Sequence, residues 1–299
     1  MKKTRKSVLI FLCTVLAVVA VIFLAYRWDE QVKGSNTRPV IDCPAYPLRV
    51  SVSALNNDEI LKQDVTARDM EDGDITDGIV VESISQFVEP GHSIITYAAF
   101  DSQNKVAKVT RHLYLTDYTS PRFEIIAPLE FSYSTNFTPL SCIMAYDSID
   151  GDISNRVKMT MLNGDDELGT IGAHNVEFSV TNSMGDISKL EAEVVVYDRT
   201  YTEMRLIPTI KLNKYLVYCE PNQYLDLVGD VIESIGVMGD TYTVEEYESR
   251  FGRLEVDEGG YDADEPGVYR VLYTCDYNGE YVGSAVLIVI VRDGDINAW

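Results

Sequence analysis

The sequence predicts an all-β protein, a row of tandem β-sandwich domains behind a single N-terminal apolar helix. Three observations lead there. Residues 7–26 carry no charge and are almost all Val, Leu, Ile, Ala or Phe. A motif and its following strand recur at a spacing of about 80–95 residues, the size of a small sandwich domain. Between the recurrences, apolar residues alternate with period two and turn residues come roughly every ten positions, which are the marks of strands.

The apolar stretch comes first. Twenty helical residues at about 1.5 Å each span roughly 30 Å, the thickness of a bilayer core. It is longer than the 7–15 apolar residues usual in a cleaved signal peptide, and it ends in Leu24-Ala25-Tyr26-Arg27-Trp28 with no A-x-A-like site. The expectation is an uncleaved signal anchor. Lys2, Lys3, Arg5 and Lys6 precede it and only Arg27 follows closely, which keeps residues 1–6 in the cytoplasm and puts the rest outside the cell membrane. Residues 27–37 form a polar stalk.

The charge balance restricts partners. The chain has 25 basic and 47 acidic residues, and five of the bases lie in the first 27 positions, so the body carries a net charge of −27. Such a surface repels phosphate backbones, which excludes nucleic acid, and attracts cations or basic partners.

The repeats define three domains, at 38–118, 119–198 and 199–293, with a tail at 294–299. Residues 67–76 read A-R-D-M-E-D-G-D-I-T and residues 145–154 read A-Y-D-S-I-D-G-D-I-S. The strand opening at Gly91 returns at Gly172 and again at Gly267. The third domain lacks the D-x-x-D-G-D run. It carries instead Thr243-Val244-Glu245-Glu246, a capping box that predicts a short helix over 244–251. The junctions Asp117–Pro121 and Tyr197–Thr202 are too short to act as flexible spacers.

These motifs resemble a bacterial immunoglobulin-like domain family, the kind first described in a pesticidal crystal protein and common in tandem on bacterial surface proteins. The resemblance rests in the first domain on Ala67, Asp69, Asp72, Gly73, Asp74, Ile75, Thr76, Pro90, Gly91, Thr96, Tyr97, Ala99, Asp101, Asn104, Arg111 and Asp117. The second keeps Asp147, Asp150, Gly151, Asp152 and Ile153 but has Asn182 where the first has Asp101. It covers about 160 residues well and the last 95 weakly. It implies tandem immunoglobulin-like sandwiches on a bacterial surface and says little about the ligand.

Candidate chemistry is sparse. Asp69, Asp72, Asp74 and Asp101, with Asp147, Asp150 and Asp152 in the second domain, could supply oxygens to Ca2+; the same residues could instead cap their own turns. No other cofactor is expected. His92, His112 and His174 fit no zinc spacing, and His92 and His174 read as exposed polar positions at the start of a repeated strand. There is no nucleophile elbow and no phosphate loop, so the chain is expected not to be an enzyme. Eleven of the nineteen tyrosines fall in the third domain. Of these, Tyr261, Tyr269, Tyr277 and Tyr281 are candidates for recognition, by stacking on a cell-wall glycan or anchoring a protein partner. Cys219 and Cys275 share that domain and could form a disulfide, while Cys43 and Cys142 fall in different domains. The expected function is an anchored extracytoplasmic adhesion or interaction module, or a spacer in an envelope assembly; the alternative is a carbohydrate-binding module using third-domain tyrosines.

Overall fold

The computed structural model describes residues 13–27, 37–162 and 168–292. Residues 13–27 form helix α1. Among the described residues no helix is long and apolar enough to cross a membrane. Residues 7–12 of the expected span, most of the stalk and the tail lie outside the described residues.

Everything else is mainly strand. The first sandwich holds β1 (Val40–Asp42), β2 (Leu48–Val50), β3 (Thr66–Asp69), β4 (Gly73–Asp74), β5 (Val80–Ile84), β6 (His92–Phe100) and β7 (Val106–Leu115), with a one-turn helix α2 (Asp58–Leu61). The second holds β8 (Arg122–Ile125), β9 (Glu130–Ser132), β10 (Ile143–Asp147), β11 (Gly151–Asp152), β12 (Lys158–Met161), β13 (Gly172–Thr181) and β14 (Ile187–Tyr197). In the third, α3 (Tyr201–Leu206) leads into β15 (Thr209–Leu212), β16 (Leu216–Cys219), β17 (Ile232–Val237) and β18 (Asp240–Tyr242). Helix α4 (Val244–Arg250) follows, then β19 (Glu255–Asp257), β20 (Gly267–Tyr277) and β21 (Tyr281–Val291).

Strand order is the same in all three. The three-stranded sheets run β1-β3-β4, β8-β10-β11 and β15-β17-β18. The four-stranded sheets run β2-β7-β6-β5, β9-β14-β13-β12 and β16-β21-β20-β19. Seven strands in two mainly antiparallel sheets make each domain an immunoglobulin-like sandwich. The third keeps the topology although it lost the motif. Its β17–β18 hairpin pairs Val237 with Asp240 across Met238 (φ 56°) and Gly239 (φ 94°), a two-residue loop with both residues left-handed. The first two sandwiches need a longer turn, pairing Asp69 with Gly73 and Asp147 with Gly151.

The chain divides into two compact units. One comprises Met1–Leu48, Ala54–Ile84 and Ile94–Leu113; the other comprises Arg49–Ser53, Ser85–Ser93 and Tyr114–Trp299, which includes the second and third sandwiches. In the first unit Leu61, Ile79, Ile95, Tyr97 and Leu113 are fully buried. Tyr97 satisfies its hydroxyl by donating to the Leu61 carbonyl at 2.6 Å. Buried Arg111 donates to the carbonyls of Tyr46 and Gln63 at 3.1 and 3.0 Å, with its guanidinium 5.0 Å from the Tyr46 ring centre. The family-like Tyr97 and Arg111 are thus framework residues.

In the second unit the period-two pattern becomes burial directly. β13 runs from exposed Gly172 through buried His174, Val176, Phe178 and Val180. Burying each large apolar side chain contributes about 1.5–3 kcal/mol. The third sandwich centres on Ile235, Tyr247, Val271, Tyr273, Leu287 and Val289. Helix α4 has the expected capping box: Thr243 Oγ accepts from the Glu246 amide at 3.2 Å and Glu246 Oε2 accepts from the Thr243 amide at 3.1 Å. Its Tyr247 is buried and donates to the Asp276 carbonyl at 2.6 Å. The same Thr-x-x-Glu logic at Thr200 and Glu203 starts α3 at the end of the Tyr197–Thr202 junction, a helix the sequence reading does not include.

Candidate functional site

The repeated Asp residues form two copies of one turn. Asp69 Oδ1 accepts from the amides of Glu71 and Asp72 at 2.9 and 3.0 Å. Asp147 Oδ1 does the same with Ile149 and Asp150 at 2.9 Å each. Gly73 and Gly151 follow at φ 77° and 71°, where a side chain would be strained. Asp74 and Asp152 then cap a 3-10 turn through the Thr76 and Ser154 amides, at 3.0 and 2.9 Å. Asp72 reaches the Ser102 amide and Asp150 the Ser183 amide, both at 2.7 Å, which ties each turn to the loop after the long strand. Asp150 also accepts from Arg156 at 2.5 Å.

These bonds set the charges. The Asp72 amide, ahead of that of Glu71, holds Asp69 below the usual carboxylate range. The Thr76 and Ser154 hydroxyls and amides do so for Asp74 and Asp152. At Asp150 burial pushes upward but is outweighed by the combined bonds from Ser183 and Arg156, so its carboxyl is lowered too.

Asp101 and Asn182 play the same part. Each oxygen Oδ1 accepts two loop amides, those of Gln103 and Lys105 at 2.8 Å, and those of Met184 and Asp186 at 3.0 and 2.9 Å. The substitution therefore leaves the turn intact. It changes the other atom: Asn182 Nδ2 donates to Asp147 Oδ2 at 3.0 Å and to the Tyr118 hydroxyl at 2.8 Å. Tyr118, fully buried, donates onward to Asp186 at 2.6 Å, and its ring meets Phe87 edge-on at 4.7 Å. Among the described residues no group of three or more His, Cys, Asp or Glu side chains is arranged to hold a metal ion.

Other expected positions resolve differently. Tyr261, Tyr269, Tyr277 and Tyr281 are half-buried rather than a displayed row. Tyr261 and Tyr269 meet edge-to-face at 5.5 Å, Tyr269 donates to the Glu265 carbonyl, and Tyr277 packs on Phe251. Tyr218 lies 5.3 Å from the Arg122 guanidinium and 5.0 Å from that of Arg292, and accepts from the Phe123 amide at 3.0 Å, joining the second sandwich to the third. The exposed tyrosines of the third domain are Tyr201 and Tyr224.

Cys219 and Cys275 are both buried and both free, so the expected disulfide is not formed. The register explains why: Cys219 sits opposite Val291 and Cys275 opposite Gly283, eight residues apart along β21 or roughly 27 Å at the rise of a strand. A disulfide needs Cα atoms within about 7 Å. His92 and His174 are also buried rather than exposed, because β6 and β13 turn those positions inward. His92 stacks on Tyr114 at 4.2 Å, and His174 Nε2 lies 2.8 Å from the Thr170 carbonyl.

A cleft absent from the sequence reading lies between the second and third sandwiches. It has a volume of about 290 Å³. Its apolar wall includes Ile125, Leu129, Ile207, Val268 and Ala285, with Tyr215 and Tyr269. Pro208 and Gly283 form a close contact there: a Cβ on Gly283 would stand 1.8 Å from the Pro208 carbonyl oxygen. Two charge pairs complete the lining. Arg270 on β20 grips Glu193 on β14 with two bonds, at 2.6 and 3.1 Å. That grip raises the Arg270 pKa and lowers that of Glu193. Glu130 on β9 has Arg199 only at 4.0 Å, and burial pushes its carboxyl upward against that charge. A cleft with apolar walls, two rings and a few convergent polar groups is the ordinary form of a small-ligand site.

No family model matches the chain. It is 40% identical over 86 residues to an uncharacterized 81.3 kDa protein of Acholeplasma phage L2, a stretch that is 29% of this chain and 11% of that protein. Among solved structures it is similar to Drosophila N-cadherin EC1-4, at 13% identity over 86% of this chain and 76% of that one, with a TM-score of 0.23. A lipoprotein of Bacteroides thetaiotaomicron gives 12% identity over 56% and 98%, with a TM-score of 0.23. A Clostridium perfringens ZmpB structure, containing CBM51-2 in complex with GlcNAc and INT domains, gives 17% over 51% and 26%, with a TM-score of 0.22. The immunoglobulin-like assignment rests on the strand order of the chain itself.

Proposed function

We propose that the chain is a non-enzymatic interaction protein of the cell surface, held by residues 7–26 as a signal anchor, which receives its ligand in the cleft between its second and third sandwiches. One observation carries the reading. Most of the side chains that look chemical in the sequence are taken up by turns and core, whereas the cleft keeps an open apolar wall beside Glu130 and the Arg270–Glu193 pair. The net charge of −22 adds that the partner is neutral or basic in the region that meets the body. Membership of the bacterial immunoglobulin-like family belongs to the same proposal and is supported by the two D-x-x-D-G-D turns.

The test uses the full chain in detergent, presented to purified cell-wall sacculi and separately to solubilised surface proteins from the producing cells. Retention on one of these, lost on deletion of residues 199–299, is expected. Retention that survives the deletion overturns the assignment to the cleft.

A further inference from the structure

The first sandwich contains a conflict that the second has resolved. Asp69 and Asp101 are 7% and 6% exposed, and the Oδ2 atom of each is buried without a hydrogen-bond partner. Their Oδ1 atoms are saturated by amides, as described above. The equivalent atoms of the second sandwich, Asp147 Oδ2 and Asn182 Nδ2, bond to each other at 3.0 Å. Asp69 and Asp147 end equivalent strands, and Asp101 and Asn182 open equivalent loops, closed by 3.1 and 3.0 Å bonds from their own amides. The first sandwich therefore sets an acceptor where the second has a donor. In the third, the strand ends in buried Val237.

By that equivalence, the place of the Asp147–Asn182 bond is taken in the first sandwich by two carboxylate oxygens, which repel unless a positive charge separates them. We propose that the first sandwich binds one hard divalent cation, of the Ca2+ class, between Asp69 Oδ2 and Asp101 Oδ2, and that the Asn182 amide occupies the corresponding place in the second. Asp72, exposed and held 2.7 Å from the Ser102 amide in the loop that Asp101 opens, adds negative charge nearby. Oxygen-only donors suit Ca2+, and water completes the six to eight ligands that it takes. A weak site is expected, with Kd about 0.1–1 mM as in extracellular modules.

The two sandwiches provide reciprocal controls. The full chain, stripped of metal and kept in detergent at 0.1 M salt, is titrated with CaCl2 by calorimetry. Saturable binding of one ion is expected, weakened at least tenfold by Asp101→Asn, which copies the second sandwich. Asn182→Asp should add a second ion. Circular dichroism checks each variant, and Asp69→Asn serves if Asn182→Asp fails to fold. Absence of saturable binding to the native chain overturns the proposal, as does unchanged binding by Asp101→Asn. An Asp101→Asn melting temperature raised equally with and without CaCl2 also overturns it, since a proton rather than a cation would then separate the oxygens.

Discussion

At the scale of single residues, most of the acidic side chains that look like ligands are backbone caps. Asp147 serves two amides and the Asn182 side chain. Asp147→Ala should therefore cost roughly 2–4 kcal/mol, by orphaning donors in a partly buried turn. A urea melt reads this as a lower midpoint at unchanged slope. The pH dependence follows from the lowered carboxyls of Asp69, Asp74, Asp150 and Asp152. A folded pKa below the unfolded one contributes stability that is present above the unfolded value, about 3.9 for Asp. It is lost as pH falls through the folded value. Melting temperature should be flat from neutral pH down to about pH 5 and fall below about pH 4. Asp150→Asn should reduce that acid sensitivity, measured as the difference in melting temperature between pH 6 and pH 3.

Secondary-structure elements show why some of this was legible beforehand. A strand half-buried in a sandwich must alternate, so β13 and β20 can be read from period two alone. Thr243 and Glu246 announce α4 because both partners of the capping box lie within four residues. Thr243→Ala should cost about 1 kcal/mol and loosen α4 more than the sheets, which amide exchange at Tyr247 and Glu248 would report. The cleft was not legible, since Arg270 and Glu193 are 77 residues apart and nothing local links them. The disulfide expectation failed for a related reason: spacing in sequence does not say how far along β21 each cysteine is registered. Tyrosine counts do not choose among positions, because Tyr fits a half-buried strand as well as it fits a binding face; of the four expected for recognition, Tyr269 lines the cleft. His92 and His174 were misjudged because a strand's inward phase is set by its neighbours, not by one polar residue.

For the whole molecule, the unchanged strand order across three sandwiches separates scaffold from specialisation. The third sandwich lost the Asp turn yet kept its sheets, by shortening the hairpin to Met238-Gly239 and adding α4. Its face toward the second sandwich, with Val268, Tyr269, Arg270 and Ala285, lines the cleft. The anchor proposal makes a topological prediction: protease added to intact cells or protoplasts should degrade every domain beyond about residue 30. Protection of the third sandwich in that assay would reverse the orientation.

The claim that recognition resides in the cleft is tested most directly by filling it. Val268 lines the cavity yet is 65% exposed, so a larger side chain there enters the cleft without disturbing the core. The measurement is retention of Val268→Trp on whichever cell-wall or surface-protein fraction binds the native chain, at matched melting temperature. The account predicts that retention falls at least tenfold while the fold is unchanged; retention equal to that of the native chain would contradict it.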